Sequence, residues 1–253
     1  MNAQGSPKDR FVTVYGRKPV LEALADAALT VDKVVLAESA RGAAATEIIQ
    51  SAATRGVPVR RASAHRVKVL AGNGKQDQGV LADVLAPRMR PLASALAGKG
   101  APRTVLLLDG ITTPGNVGMI LRTATAAGIG GIVVPRRGVA GLDPMVVKAS
   151  AGVAFHAPVL RCASAQDAAC ALRAAGYQLF GLAADAGASV FSARYPERAA
   201  FVLGGETAGV SAAVRGHVTN WISIPMAGDV ESLNVASAAT VLCFELLRRG
   251  SKA

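Results

Sequence analysis

Two isolated charges in the second half of the chain are candidates for chemistry. Arg122 is the only charged residue within 110–135, and Glu206 is the only one within 199–214. Neither has an opposite charge three or four residues away, so no helical ion pair neutralises it. Because burying a lone cation is costly, Arg122 needs a carboxylate from another element, a bound phosphate, or a place at the surface. An ion pair between Arg122 and Glu206 and a phosphate site are both open alternatives.

Both charges lie close to a turn that follows a predicted strand. The strand at 104–109 runs into a Pro-Gly turn and a helix, where Asn116 stands near the N-cap and can cap the helix or reach outward. The strand at 200–204 ends in Gly204 and Gly205, and such a turn lets a ligand approach the main chain closely. A Gly-Gly turn alone is a weak indication of a site.

The stretch ISIPMAGDVESLNVASAATVLCFELL (222–247) joins another strand to a long helix. A polar turn containing Asp229 follows the strand, and Ser232 is placed to cap the helix, whereas capping does not readily explain Asn234. The helix at 233–248 is apolar nearly all round, which predicts burial in its own core or against another subunit. A polar turn held on a buried helix is typical of a small-molecule site; an ordinary strand–turn–helix connection is the alternative.

Other common chemistries are not indicated. The sequence has no dinucleotide-binding glycine fingerprint and no Walker loop, and its three histidines form no set with serine, cysteine or carboxylates. Cys162, Cys170 and Cys243 lack metal-ligand spacing, so we expect free thiols in a reducing compartment and no metal. The first residues are polar and no long apolar run follows, so we expect a cytoplasmic protein without a membrane partner.

The charge of the chain indicates a polyanionic partner. The formal net charge is +11 and the pI about 10.2, and residues 1–100 carry 15 Lys and Arg against 8 Asp and Glu. The alternative is a generally basic soluble protein with a solvated charged face. The candidates for RNA phosphate contacts accompany a Gln-containing loop at 76–78: Arg55, Arg60, Arg61, Arg66, Lys68 and Lys75.

Alternating strand and helix patterns predict two α/β domains. We expect a flexible tail at 1–10, a small domain at 11–86, a linker with room for one short helix at 87–102, and a second domain with a mostly parallel sheet at 103–253. The small domain has predicted strands at 31–37, 57–60 and 80–85 and helices at 20–28, 43–54 and, capped by Ser63, up to Leu70. The second has predicted strands at 104–109, 131–134, 177–183, 200–204 and 221–224 and helices at 116–127, 165–175 and 233–248.

Taken together, PGNVGMILRTA, VLGGETAGVS and ISIPMAGDVESLNVASA resemble the three motifs of the SpoU/TrmH family of RNA ribose 2′-O-methyltransferases. The segment KASAGVAFHAPV is similar to a family segment between the first two motifs. The front part, VYGRKPVLEAL through QDQGVLADV, resembles the ribosomal-protein-L30-like substrate domain of the 23S rRNA branch. Two departures stand out: Gly205 replaces a frequent Asn, and Asp77 replaces a frequent His.

This resemblance implies a SPOUT fold whose parallel sheet carries a C-terminal trefoil knot, S-adenosylmethionine as cofactor, and a homodimer whose active site uses both subunits. The cofactor pocket implied by the motif match comprises Gly204, Gly205, Ile224, Met226 and Leu233. The implied catalytic set is Asn116, Arg122, Glu206, Ser232 and Asn234. Arg122 is either the general base or, because a free guanidinium titrates above about 12, a ligand for phosphate and developing alkoxide.

Three other functions stay open at this point. For a methyltransferase, the front domain favours 23S rRNA as the substrate, and tRNA is the alternative substrate. A non-catalytic RNA-binding or ribosome-assembly protein on the same fold would not bind S-adenosylmethionine. A nucleotide-dependent oxidoreductase is disfavoured because its fingerprint is missing.

Overall fold

The computed structural model describes residues 9–72, 76–98, 100–228 and 230–250. Residues 1–8 of the predicted tail, Lys75 and Asp229 lie outside these ranges. The described chain forms a four-stranded sheet followed by an eight-stranded sheet. The predicted α/β class is therefore confirmed.

The small sheet is mixed and has the strand order β1-β4-β2-β3, in which only β2 and β3 are parallel. Its elements are β1 Phe11–Tyr15, α1 Arg17–Ala25, β2 Val31–Ala37, α2 Ala43–Thr54, β3 Val59–Ala62, α3 Ala64–Ala71 and β4 Val80–Leu85. Alternate strand residues such as Val34 and Leu36 pack with α1 and α2. The opposite face, including Val35 and Leu81, packs on Val67 of α3, so α3 covers part of that face.

The large sheet has the order β10-β12-β9-β11-β6-β7-β8-β5, and each neighbouring pair is parallel. Its strands are β5 Arg90–Pro91, β6 Thr104–Leu108, β7 Gly131–Pro135, β8 Val159–Cys162, β9 Gln178–Leu182, β10 Ala188–Ser189, β11 Ala199–Leu203 and β12 Asn220–Ser223. Its helices are α4 Leu92–Ala97, α5 Pro114–Ala126, α6 Pro144–Ala149, α7 Ala165–Ala174, α8 Ala212–Arg215 and α9 Val235–Gly250. The central strands are nearly all apolar, as expected for a parallel sheet covered on both faces.

Several predicted elements need correction. The third strand is Val59–Ala62 instead of 57–60, because Pro58 has no N–H to donate to a ladder; its carbonyl accepts from Val34 N at 3.0 Å. The patterns also missed β1, β8 and α6, which have four to six residues each. Segments this short carry little periodicity, so some of them are recognised and others are not.

The ends of the predicted tail and linker also differ from the structure. Asp9, which was assigned to the flexible tail, is buried. It forms an ion pair with Arg136, the residue directly after β7 of the large sheet. Within the predicted linker, residues 90–97 form β5 and α4, and Leu92 and Ala95 are buried in the core of the large sheet. These residues therefore belong to the packed structure, because their apolar side chains pack against the large sheet.

Candidate functional site

A pocket of about 470 Å³ lies at the carboxyl ends of β9, β11 and β12, beside the first turn of α9. Ligands of open α/β sheets commonly bind outside the carboxyl ends of parallel strands. Eight of the ten predicted site residues line this pocket: Gly204, Gly205, Glu206, Ile224, Met226, Ser232, Leu233 and Asn234. The remaining two, Asn116 and Arg122, are on α5.

The Glu206 carboxylate joins the three sequence motifs. Asn116 Nδ2 donates to Glu206 Oε1 at 2.7 Å, and Asn234 Nδ2 donates to the same oxygen at 2.8 Å. Asn234 Nδ2 also lies 3.2 Å from Asn116 Oδ1. Two neutral amides therefore bind one oxygen of this exposed carboxylate. The alternative of an ion pair between Glu206 and Arg122 is wrong within the described residues.

The N-cap of α9 is Asn234, so the assignment of that role to Ser232 is corrected. Asn234 Oδ1 accepts from Ala236 N at 2.9 Å and from Ser237 N at 3.4 Å, directly before the helix begins at Val235. The same side chain thus caps the helix with its oxygen and binds Glu206 with its nitrogen. Ser232 is exposed at the pocket wall.

Close main-chain contacts fix the loop that carries Glu206. A Cβ atom on Gly204 would lie 2.2 Å from the carbonyl carbon of Gly209, and one on Gly205 would lie 2.6 Å from the Gly110 oxygen. Gly205 and Gly209 exchange hydrogen bonds of 3.0 and 2.9 Å. This geometry gives a physical reason for glycine at 205, where the family often has Asn: the Gly110 carbonyl occupies the space of a side chain.

Asp109 is a buried carboxylate that the sequence reasoning missed. Its Oδ2 accepts from Ser211 N at 2.7 Å, and its own N–H donates to Leu203 O at 2.9 Å. It therefore ties the end of β6 to both ends of the Glu206 loop. The sequence feature that could have identified Asp109 is a single acidic residue directly after an apolar strand.

One pocket wall is formed by the single tryptophan, which the sequence reasoning also missed. The ring of Trp221 fills the space that a Cβ on Gly181 would need, at 2.5 Å, and the Arg215 guanidinium lies 4.8 Å from the ring centroid. Trp221 and Arg215 both line the pocket. The pocket thus contains a flat aromatic surface and a cation in addition to the Glu206 carboxylate.

Arg122 lies outside this pocket. It lines a separate depression of about 300 Å³ between α5 and α9, is exposed, and has no hydrogen-bond or ion-pair partner among the described residues. It follows Asn116 by six residues, so helical geometry separates the two positions by about 120° around α5 and about 9 Å along it. Because Arg122 is exposed, its charge is not buried and needs no partner within the chain. A bound phosphate is still one of the open alternatives for its partner.

The helix α9 is not buried all round within the described chain. Phe244 is 48% and Leu247 40% exposed, and Met119 beside the Arg122 depression is 43% exposed. The prediction of burial within the chain's own core is therefore wrong for this side of α9. Its other side, with Ala239, Leu242 and Cys243, is fully buried, and burial raises the pKa of the Cys243 thiol to about 12.

Two of the predicted RNA-binding arginines serve the fold. The Arg55 guanidinium donates to the carbonyls of Leu24, Asp26 and Leu29 at 2.6 to 2.9 Å. The Arg61 guanidinium donates to the carbonyls of Ala37 and Ala40. Their charge therefore cannot simply be added to an RNA-binding surface. Arg60, Arg66 and Lys68 are exposed.

Within the described ranges, no three His, Cys, Asp or Glu side chains group as metal ligands would. Among the same residues, no helix combines the length and apolarity that a membrane crossing requires.

Family comparisons match both parts of the chain. The SpoU rRNA Methylase family matches residues 103–244, and the RNA 2′-O ribose methyltransferase substrate binding family matches residues 13–90. The 23S rRNA (guanosine-2′-O-)-methyltransferase RlmB of Xanthomonas axonopodis pv. citri is 34% identical over 93% of this chain and 96% of that protein. A putative TrmH family tRNA/rRNA methyltransferase of Staphylococcus haemolyticus is 31% identical over 94% of this chain and 96% of that protein.

Solved structures share the fold over nearly the whole chain. A putative RNA methyltransferase of the TrmH family from Porphyromonas gingivalis has a TM-score of 0.63 and 29% identity, covering 96% of this chain and 91% of that one. The SpoU methyltransferase AviRb from Streptomyces viridochromogenes, in complex with the cofactor AdoMet, has a TM-score of 0.62 and 27% identity, covering 100% of this chain and 95% of that one. By its sequence, its pocket and these matches, the chain belongs to the SpoU rRNA methylase family.

Proposed function

We propose that the chain transfers a methyl group from S-adenosylmethionine to the ribose 2′-oxygen of a guanosine in 23S rRNA. Relatives from two Xanthomonas pathovars carry this activity in their names, and AviRb was solved with AdoMet. The observation that carries the proposal is the convergence of three distant motifs on one pocket through Glu206, Asn116 and Asn234.

The pocket fits S-adenosylmethionine by size and by the chemistry of its lining. Its volume of about 470 Å³ is within the range of about 300–1,000 Å³ usual for small-molecule sites. Glycine turns expose main-chain groups, and apolar side chains such as Ile224 and Leu233 offer a surface for a nucleoside. A carboxylate, Glu206, and a guanidinium, Arg215, offer opposite charges to a zwitterionic ligand.

When bound, S-adenosylmethionine supplies a methyl group already activated on a sulfonium. The chain then has to align this donor with the ribose and stabilise charge on the attacking 2′-oxygen. The 2′-hydroxyl would give up its proton to solvent, and the cofactor would leave as the thioether S-adenosylhomocysteine. We assign alignment to the glycine turn and to the network of Glu206, Asn116 and Asn234, with Ser232 at the pocket wall. We assign the guanidinium of Arg122 to the phosphate beside the target ribose and to the developing alkoxide.

The separation of Arg122 from the pocket supports a homodimer in which the active site uses both subunits. Arg122 lines a depression that includes Thr240 of α9, and Phe244, about one helical turn further along α9, is exposed. A second copy packed on this side would bury apolar surface that one chain leaves open, and would bring its own groups to Arg122. A trefoil knot in the C-terminal part stays a prediction from the family resemblance.

We also propose that the small domain, at 11–86, binds RNA and that the methyltransferase domain begins at 103. The two family matches, at 13–90 and 103–244, support this division. An rRNA substrate fits a cytoplasmic protein.

Methyl transfer from radiolabelled S-adenosylmethionine to 23S rRNA transcripts tests the activity. We expect incorporation into 23S rRNA, and we expect one phosphodiester bond, on the 3′ side of the methylated guanosine, to become resistant to alkaline hydrolysis. A parallel reaction with total tRNA tests the alternative substrate, because the Staphylococcus relative is named for both RNAs. Cofactor binding by calorimetry without transfer to either RNA would favour another RNA, and no cofactor binding would favour a non-catalytic RNA-binding protein.

Mixing inactive variants tests the shared active site. At a cofactor concentration well below the wild-type Kd, we expect Arg122→Ala and Gly204→Ala each to lose most of their activity separately. After mixed refolding they should regain about a quarter of the wild-type activity, because one of the two sites in a heterodimer would then be intact. Phe244→Glu should give a monomer by light scattering. Full activity in a monomeric variant would show that the active site does not need a second subunit.

A further inference from the structure

A second cavity, of about 500 Å³, opens on the face of the small sheet that α3 covers only in part. Its lining combines an aromatic ring, Phe11, apolar floor residues such as Leu81, and the cationic side chains of Lys33, Arg60 and Arg66. Its volume is of the size of small-molecule sites. This groove lies on the first sheet and shares no lining residue with the pocket at the large sheet.

The single carboxylate among the groove's lining residues is neutralised within the chain. Asp83 Oδ1 accepts from Thr13 Oγ1 at 2.7 Å, and Asp83 Oδ2 lies 2.7 Å from Lys33 Nζ. The three residues form one row across β1, β4 and β2. Asp83 therefore offers little repulsion to an anion, because its charge and both oxygens are engaged.

Two arginines of the groove are available to a ligand. Arg60 of β3 and Arg66 of α3 are exposed, and neither guanidinium has an acceptor among the described residues. Arg61, which lies between them in sequence, donates instead to the carbonyls of Ala37 and Ala40. Free guanidinium groups bind phosphate with two parallel hydrogen bonds, so Arg60 and Arg66 suit a phosphodiester.

Phe11 adds a surface for a base. Its ring is half-buried at the edge strand β1, and the Lys33 ammonium lies 5.6 Å from its centroid. Aromatic rings on open sheet faces are platforms for unpaired bases, whereas duplex RNA presents its phosphates and keeps its bases stacked.

We propose that this groove binds one unpaired nucleotide of the RNA substrate, with its phosphate at Arg60 and Arg66 and its base against Phe11. The inference rests on the proposed function, since it takes RNA as the ligand, and it deepens that function. It names single-stranded RNA as the form that the small domain recognises.

Binding of a fluorescein-labelled single-stranded RNA 12-mer to the full chain, measured by anisotropy across a salt series, tests the charge. The double variant Arg60→Ala/Arg66→Ala loses the single phosphate contact and should lower the slope of log K against log salt by about 0.7, and each single variant should lower it by less. Lys18→Ala is the matched control, because Lys18 is an exposed cation on α1, which covers the other face of the sheet. Unchanged affinity and slope in the double variant would overturn the proposal.

Substitution of Phe11 tests the base. Phe11→Leu keeps the side chain apolar but removes the ring, so single-strand affinity should fall by about 5- to 150-fold, and Phe11→Tyr should restore it. A blunt duplex of the same length should bind more weakly and respond little to Phe11→Leu. Equal losses for duplex and single strand would overturn the base contact.

Photocrosslinking of the unmodified protein gives a readout that does not depend on how a variant folds. A 4-thiouridine-containing single strand should crosslink to the peptide containing Phe11 or to the peptide containing Arg66; crosslinks confined to residues beyond 103 would overturn the proposal. Methyl transfer by the same preparation is measured in parallel. Failure of transfer with groove crosslinks intact would reject the proposed function alone, and transfer without groove crosslinks would reject the groove alone.

Discussion

The pocket at the large sheet and the groove on the small sheet have similar volumes, about 470 and about 500 Å³, but different parts of the chain form them. In the pocket, close main-chain contacts at Gly204 and Gly205 set the shape, and neutral amides hold the one carboxylate. The groove, in contrast, is lined by long, exposed, positively charged side chains such as Arg60.

This difference indicates two kinds of ligand. Main-chain groups have fixed positions, so the pocket suits a small molecule of defined shape that must be aligned for reaction. Exposed arginines adjust their rotamers, so the groove suits a phosphodiester that arrives in many conformations. We therefore expect cofactor binding in the pocket to be sensitive to the addition or removal of single atoms. We expect RNA binding at the groove to be sensitive to the removal of positive charge.

The largest effect should follow from a residue that belongs to neither region. Arg122→Ala should lower methyl transfer by about 10²- to 10³-fold, the usual loss for a removed oxyanion stabiliser, while cofactor affinity measured by calorimetry stays near wild type. Arg122 lies outside the pocket, so binding and transfer are separable. Arg173→Ala, another exposed arginine, is the control. Near-normal turnover of Arg122→Ala would discard its role.

A single added methyl group should damage the pocket next most strongly. Gly204→Ala places a Cβ 2.2 Å from the Gly209 carbonyl carbon, so the loop has to move. Overpacking costs about 1–3 kcal/mol, which would weaken cofactor binding by about 5- to 150-fold if it falls on the bound state. Gly216→Ala is the control, since φ is −64° there and no atom lies within 4 Å of an added Cβ. Equal cofactor affinities in both variants would contradict a shape set by the main chain.

The amide network should respond to loss of the acceptor more than to loss of charge. Glu206→Ala leaves the buried amide of Asn116 without its acceptor and should lower the free energy of unfolding by about 1–3 kcal/mol, whereas the exposed Asn234 can bond to water. Glu206→Gln keeps an oxygen in place and should cost much less. Urea unfolding of both variants measures this difference, and equal losses would show that the negative charge matters most.

The smallest effect concerns the far end of α9, the helix that carries Asn234 at its start. Hydrogen bonds from Arg248 and Arg249 hold the pKa of Glu245 at about 2, below its ordinary 4.5. A lowered pKa means that this stabilisation is present above about pH 4.5 and is lost as pH falls towards 2.

Glu245→Gln should therefore flatten the decrease in free energy of unfolding between pH 4.5 and 2 and leave cofactor binding at neutral pH unchanged. Glu197→Gln, whose ion pair with Arg103 is exposed, is the control and should change little. Identical acid profiles for Glu245→Gln and the wild type would show that this ion cluster contributes nothing measurable.

The sequence by itself indicated the two-part α/β organisation, and its resemblance to a known family implied eight of the residues that line the pocket. Elements such as Val31–Ala37 and Ala43–Thr54 were predicted with their observed bounds, because length and apolar pattern are local properties. The turns at 204–206 and 224–234 were also recognisable, since glycine, proline and polar residues follow predicted strands there and match motifs of the family.

Only the tertiary structure decided which side chains meet. Glu206 binds Asn116 and Asn234, which are 90 and 28 positions away, and Asn234 takes the capping role expected of Ser232. Arg122 stays outside the pocket because of its angular position on α5. Local patterns report contacts only a few residues apart, whereas these pairings depend on how helices are rotated and packed, which the whole core fixes at once.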